Sequence, residues 1–367
     1  MATSRRSFLE GVSLGSLASL LGFPRSATAA ATSAQASASP SAPAPEPIFP
    51  KALKKGDTVA LVRPASPSYE YEANEIAAET VAANGFVPKV MPNAAKKTYY
   101  LAGGDADRAA DVNAAFSDPS IAGVWCITGG YGSSRILPYL DYQTIRKNPK
   151  PYIGFSDITA THNAIHRMTG LVTFHGPMAG AQNEYALEGF RKIVMNGEAG
   201  KLAENATGEP GRRSGGERDT RIYKLAPGKA KGRLVGGNIS VLAPLFGTPY
   251  EPPLAGRILF LEEVEEDPYR IDRWLTGFVL SGKLSTLAGV ALGKFAGCRP
   301  GPTRPGNGLG TWTWQEICAD RFGKLGIPVV AGFSFGHVPE NATLPIGAMA
   351  ELDGDAGTLT LLEPAVR

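Results

Sequence analysis

The sequence predicts an α/β protein built as a doubly wound parallel sheet, followed by a second unit of short strands and helices. Three observations predict it. Apolar runs the length of buried strands alternate with helical patterns through the first half of the chain. A polar, Gly-rich stretch over 206–232 then interrupts that rhythm. Beyond it the apolar runs resume, with only two helical patterns among them.

The elements follow in order. Thr58 to Val62 reads as a first buried strand. Tyr71 to Asn84 has a helical pattern that Gly85 ends. Phe86 to Val90 is a second strand, Ala106 to Phe116 a second helix, and Ile121 to Ile127 a third strand. Pro151 to Gly154 leads into another strand end, Asp157 to Met168 reads as a helix, and Leu171 to Phe174 as a further strand. Strand and helix in alternation give a parallel sheet covered on both faces, here over 49–205. Residues 206–232 lack periodicity and read as a linker or insertion. The second unit, 233–367, places strands at Leu234–Asn238, Gly256–Leu261, Leu287–Gly293, Val329–Gly332 and Met349–Leu352. Its helices are Tyr269–Leu280 and Trp314–Phe322, with Gly323 as a stop. That mixture favours α+β over a second doubly wound sheet.

The N-terminus stands outside this fold. Ser4-Arg5-Arg6-Ser7-Phe8-Leu9 resembles a twin-arginine export signal, followed by a modest apolar stretch and an A-x-A site at Ala27-Thr28-Ala29. Residues 1–29 are therefore expected to be a signal peptide, and the Ala-, Ser- and Pro-rich residues 30–48 a disordered tether. The apolar stretch is too short and too rich in small residues to span a bilayer well, so a periplasmic or otherwise exported protein with no stable membrane insertion after processing is expected.

Composition excludes several classes. A net charge of +3 over 367 residues, falling to +1 without residues 1–29, gives no nucleic-acid surface. Cys126, Cys298 and Cys318 have no metal-ligand spacing, and with four histidines no structural or catalytic metal and no cofactor are expected. Cys298 and Cys318 are the candidate pair should a disulfide form.

Four segments carry reactive groups at strand ends or in loops. Ser156 stands at a strand-to-helix turn, where a hydroxyl leaves the sheet and helical N–H groups point at the same space. The other reading of Ser156 is an N-cap, and the hydrolase pattern G-x-S-x-G is absent because Ile158 takes the second Gly position. Thr128-Gly129-Gly130-Tyr131-Gly132 follows a strand directly, and its glycines let backbone N–H groups approach a ligand. In a parallel sheet this loop and Ser156 share the carboxyl edge. Glu262 and Glu263 end a hydrophobic strand, and alternation lets one of them face a shared site. His337 lies in a Gly- and Pro-rich loop and is a candidate base. Ser, Glu and His are the parts of a nucleophile–orienter–base triad.

These segments, with Gly56-Asp57-Thr58, Tyr100-Leu101-Ala102-Gly103, His175-Gly176-Pro177, Gly236-Gly237-Asn238, Gly247-Thr248-Pro249-Tyr250 and Tyr269-Arg270-Ile271-Asp272-Arg273, resemble the LD-carboxypeptidase family of serine peptidases from about Lys54 to Leu361. The resemblance implies a flavodoxin-like N-terminal domain and a smaller β-rich α/β C-terminal domain, with the site between them and a homodimer. It implies Ser156 as nucleophile, His337 as general base and Glu262 as its orienting carboxylate. Glu262 is chosen over Glu263 because the family pattern Leu-Glu-Asp aligns on Leu261-Glu262-Glu263. It further implies an oxyanion hole from the N–H groups of Asp157 and Gly130, and substrate contacts from Gly129, Tyr131 and Gly132. The substrate implied is a murein tetrapeptide losing its terminal D-alanine. The alternatives are cleavage of peptide-nucleotide antibiotics in self-immunity, or an exported protein that binds cell-wall peptides without cleaving them. The chain departs from the family in having Glu263 for the second acid, an export signal, and a long polar insertion around Gly211–Asp219.

Overall fold

The structure is a computed structural model and describes residues 45–181, 183–205, 213–214, 217–218, 221–299 and 311–367. The export signal and most of the tether lie outside the described residues. The last residues assigned to the tether are ordered against the sheet: Ile48 bridges Leu171, donating its N–H to Gly170 O at 2.8 Å and accepting from Val172 N at 2.9 Å. This pairing depends on a segment more than a hundred residues away, which is why local composition misses it.

The strands and helices, in chain order, are β1 (Thr58–Val62), α1 (Ala73–Ala83), β2 (Val87–Val90), α2 (Asp105–Ser117), β3 (Ile121–Cys126), α3 (Tyr142–Lys147), β4 (Tyr152–Gly154), α4 (Thr159–Thr169), β5 (Thr173–His175) and α5 (Glu184–Phe190). They continue with β6 (Gly200–Leu202), the short hairpin β7 (Arg213–Ser214) and β8 (Glu217–Arg218), β9 (Tyr223–Ala226), β10 (Lys229–Asn238), α6 (Ile239–Leu242), β11 (Ile258–Val264), α7 (Pro268–Leu280) and β12 (Gly289–Ala296). The last are α8 (Trp314–Phe322), β13 (Val329–Ala331), β14 (Leu344–Ile346), β15 (Met349–Asp353) and β16 (Thr358–Leu361).

The first sheet has the order β14-β5-β4-β3-β1-β2, parallel throughout except for β14. Its five N-terminal strands thus run 5-4-3-1-2, the flavodoxin-like order, which reverses between β1 and β3. Both faces are covered, so strand residues are apolar in succession rather than in alternation: Val59, Ala60, Leu61 and Val62 are all fully buried. Val59 and Leu61 pack with Trp125, Ile153 and Phe190 on one face, while Ala60 and Val62 pack with Val124, Phe116 and Ile165 on the other. Pro88 is tolerated because β2 is the edge strand.

The second sheet has the order β6-β16-β15-β10-β11-β12-β13-β9. Strands β10 to β13 are parallel, with antiparallel strands on either side. The expectation of α+β is therefore corrected: the centre of this sheet is an α/β arrangement joined by helical crossovers. The linker read over 206–232 is corrected too, since β9 and the first half of β10 lie within it. Lys229 to Arg233 pairs antiparallel with β15, and Leu234 to Asn238 parallel with β11. Tertiary pairing makes Lys229-Ala230-Lys231-Gly232 a strand; nothing in its local propensity does.

Each half of the chain lends an edge strand to the other. β6 precedes the polar stretch but pairs with β16 in the second sheet, while β14 pairs with β5 in the first. Helix α4 also touches β10. Asn163 Nδ2 donates to Gly236 O at 2.9 Å, and Asn238 N donates to Thr159 Oγ1 at 3.0 Å. Gly236 and Gly237 have φ of +140° and +133°, and a Cβ on Gly237 would stand 2.4 Å from Thr159 Oγ1. The close approach of α4 to β10 thus needs glycine at 237.

Candidate active site

Strand β4 ends at Gly154, and a 3-10 turn over Ser156–Ile158 leads into α4. Ser156 has φ of +61°, a left-handed conformation that costs a side-chain-bearing residue about 1–3 kcal/mol. No side-chain cap bond opens the turn or α4, so the N-cap reading of Ser156 is not what the structure contains. The hydroxyl instead meets His337: His337 Nε2 lies 2.8 Å from Ser156 Oγ. On the other edge of the ring, His337 Nδ1 lies 2.7 Å from Glu262 Oε2. Three residues from three separate segments are thus joined in a line of hydrogen bonds.

Glu262 reaches this position from β11. Its side chain is fully buried, and that of His337 is 19% exposed. Gly336, at φ of +110°, makes the contact possible, because a Cβ there would stand 2.8 Å from Glu262 Oε2. Gly336 N–H is in turn held by Asn341 Oδ1 at 2.9 Å. Burial works against the charged form of His337, but the Glu262 charge and hydrogen bond, with Glu263 and Glu265 behind, leave its pKa above the ordinary 6.5.

Glu263 points the other way. Its carboxylate accepts from Asn238 Nδ2, Ser240 N and Val264 N, each at 2.9 Å, and so anchors the start of α6. Burial, with the Glu262 charge next in effect, pushes its pKa up to about 7. His175 is also no base. It is fully buried against Phe155, Phe260 and Phe335, and burial holds its pKa well below the ordinary value.

The glycine loop lies against Ser156. A Cβ on Gly129 would meet Ser156 Cβ at 3.0 Å and Oγ at 3.3 Å. One loop N–H group is engaged within the fold: Tyr131 N donates to Ser66 Oγ at 2.9 Å. Gly132 O accepts from Arg108 Nη1 at 2.8 Å, so the carbonyl of this residue braces the loop. Tyr131 presents only its ring, half exposed and edge-on to Tyr100 at 5.7 Å. The Asp157 side chain is buried and accepts Ser133 N at 2.7 Å, which ties the glycine loop to the turn. Sequence reasoning missed Ser66, which holds the loop from beneath through Gly129 O at 3.1 Å and Thr128 Oγ1 at 2.7 Å. Its signal was the Pro64-Ala65-Ser66-Pro67 turn directly after the first strand, on the same sheet edge.

Among the described residues no cluster of three or more His, Cys, Asp or Glu side chains could hold a metal ion, and no helix is long and apolar enough to cross a membrane. Cys126, Cys298 and Cys318 are buried as thiols.

Residues 59–176 match the LD-carboxypeptidase N-terminal domain, and residues 231–352 match the LD-carboxypeptidase C-terminal domain. The chain belongs to the LD-carboxypeptidase family. It is 41% identical to a putative carboxypeptidase of Streptomyces coelicolor over 88% of this chain and 98% of that one. It is 36% identical to a probable murein peptide carboxypeptidase of Bacillus subtilis, over 83% and 91% of the two chains. Its fold is similar to that of MccF in complex with glutamyl sulfamoyl guanosine, with a TM-score of 0.76 and 25% identity over 88% of this chain and all of that one. The family makes this LD-carboxypeptidase relative a carboxypeptidase-type hydrolase with a two-domain α/β fold.

Proposed function

We propose that the protein is a serine LD-carboxypeptidase that releases the terminal D-alanine of murein tetrapeptides through an acyl-enzyme on Ser156. The observation that carries this reading is the hydrogen-bonded line from Ser156 through His337 to Glu262, on a serine held at positive φ. In this reading Ser156 Oγ attacks the carbonyl before the terminal residue while His337 Nε2 takes its proton. Glu262 holds Nδ1 protonated, so that Nε2 is the basic nitrogen. The oxyanion rests on the N–H groups of Asp157 and Gly130, each worth about 3 kcal/mol to the barrier by analogy with other acyl-transfer enzymes. The amide C–N bond breaks, the proton passes from His337 to the leaving nitrogen, and water then cleaves the ester.

The murein substrate is supported by the Bacillus subtilis relative. The fold likeness to MccF favours a second reading, cleavage of a peptide-nucleotide conjugate at the same serine. Export by the twin-arginine route, a signal peptide over residues 1–29, and a homodimer complete the proposal.

The test is incubation with an L-Ala–D-Glu–diaminopimelate–D-Ala tetrapeptide, with D-alanine release and Ser156 labelling by a fluorophosphonate as readouts. Release that is abolished in Ser156→Ala supports the reading. Release that persists in Ser156→Ala, or that EDTA abolishes and zinc restores, sinks the serine mechanism. Cleavage of an aspartyl sulfamoyl adenosine in preference to the tetrapeptide selects the second reading.

A further inference from the structure

His175 is fully buried at the end of β5 and takes no part in the hydrogen-bonded line of the site. Its backbone pairs with Gly154 of β4, the strand that leads into Ser156, and with Leu344 of β14, the strand that follows the His337 loop. Its ring meets three phenylalanines edge to face, with ring centres 6.0 Å from Phe155, 5.3 Å from Phe260 and 6.4 Å from Phe335. Phe155 directly precedes Ser156, Phe260 lies on the same strand as Glu262, and Phe335 leads into Gly336 and His337. One ring thus touches all three segments that carry the proposed triad.

Stability alone does not select a histidine here. Both ring nitrogens are buried with no hydrogen-bond partner among the described residues. An unpaired buried polar group costs about 1–3 kcal/mol, and an apolar side chain of similar size would avoid that cost. What imidazole supplies is a small flat ring whose positive edge fits the faces of neighbouring rings. Burial holds its pKa well below the ordinary value, so no charge from it opposes a proton on His337. A residue that works against folding where three functional segments meet is expected when the geometry of the site, and not stability, sets its identity. The ring contacts also run on to the base: Phe155 lies 5.0 Å from the His337 ring, and Phe260 meets Phe335 edge to face at 5.8 Å.

We infer that His175 is a positioning residue of the active site: its ring holds the segments of Ser156, Glu262 and His337 in mutual register, without touching substrate or moving a proton. The inference rests on the roles proposed above for those three residues. Removing the ring frees Phe155, Phe260 and Phe335 to shift, and each shift passes along the chain to the triad residue beside it. A displacement of about 1 Å at a reacting centre costs about 10²-fold in rate. The hydrogen bond most open to such a shift is the one that His337 Nδ1–H donates to Glu262 Oε2, because its two ends stand on the segments of Phe335 and Phe260.

The experiment compares the wild type with His175→Ala in the full chain. It reads the rate constant of Ser156 labelling by a fluorophosphonate, per mole of folded protein, and the low-field proton NMR signal of His337 Nδ1–H, assigned by its loss in Glu262→Gln. The wild type should show the signal. His175→Ala should lose it to solvent exchange and label about 10–100-fold more slowly, with an unchanged far-ultraviolet circular dichroism spectrum. A residue that served stability alone would lower the melting temperature on removal and leave both readouts in place. Should His175→Ala not fold, His175→Leu, which fills the space without a ring, is judged on the same two readouts. Absence of the signal from the wild type, its retention in the folded variant, or labelling of that variant within about threefold of the wild type overturns the inference. D-alanine release is followed in parallel: its absence in the wild type sinks the peptidase reading, while the NMR signal still decides the role of His175.

Discussion

Glu262 and Glu263 are adjacent in β11, yet their carboxylates serve opposite faces of the strand: Glu262 meets His337 Nδ1 at 2.7 Å, while Glu263 meets Asn238 Nδ2 at 2.9 Å. The period of two along a strand separates them. Glu262→Gln should lower kcat by roughly 10⁴-fold, the loss seen when a triad carboxylate is neutralised. Glu263→Gln should cost less than about tenfold, because its carboxylate hydrogen-bonds the start of α6 and makes no hydrogen bond to the histidine. Similar kinetic losses in the two folded variants would mean that the orienting acid is the wrong one.

The same contact sets a pH dependence. His337 must be neutral to accept a proton, and its pKa is raised above 6.5, so kcat/KM should fall as the pH drops through a value higher than that of an ordinary imidazole. Glu262→Gln removes a cause of the increase, so the acid limb of the profile should move to lower pH. A limb that stays in place in the variant would detach it from the Glu262–His337 pair.

Strain at Ser156 is measurable. At φ of +61° glycine is the residue that loses least, so Ser156→Gly should be more stable than Ser156→Ala by about 1 kcal/mol in denaturant unfolding. Both should be inactive. An alanine variant as stable as the glycine variant would show that the left-handed turn costs the chain nothing.

Gly129→Ala tests how closely the glycine loop approaches the hydroxyl. Gly129 is not among the positive-φ residues, so alanine suits its backbone, but the new methyl would sit 3.0 Å from Ser156 Cβ and 3.2 Å from Met178 Cε. A fall in kcat of about 10–100-fold with little change in melting temperature is expected, as for other sub-ångström displacements at a reacting centre. Full activity would mean that the loop yields without moving Ser156.

Export is tested in cells. The mature chain should be recovered outside the cytoplasmic membrane with an N-terminus near Ala30, and Arg5→Lys with Arg6→Lys should hold it inside. Wild-type protein found uncleaved and soluble in the cytoplasm would overturn export by this route.

Much of this protein was legible in the order of its residues. Val59 to Val62, Ile121 to Cys126 and the helix of Pro268 to Leu280 announced themselves, because burial on both faces demands unbroken apolar runs and burial on one face demands a helical period. Ser156, His337 and the glycine loop were legible because strand ends and glycine-rich loops are where a sheet exposes reactive groups. Alternation left one of Glu262 and Glu263 for the site, and family resemblance chose between them. Only the tertiary structure brought the three candidate side chains within hydrogen-bond reach across 181 positions of sequence between Ser156 and His337. It alone made strands of Tyr223–Ala226 and Lys229–Gly232, put Leu344–Ile346 into the first sheet, and used the Ser133 N–H to hold Asp157. Those outcomes depend on partners far away in the chain, and neither local propensity nor periodicity carries information about a distant partner.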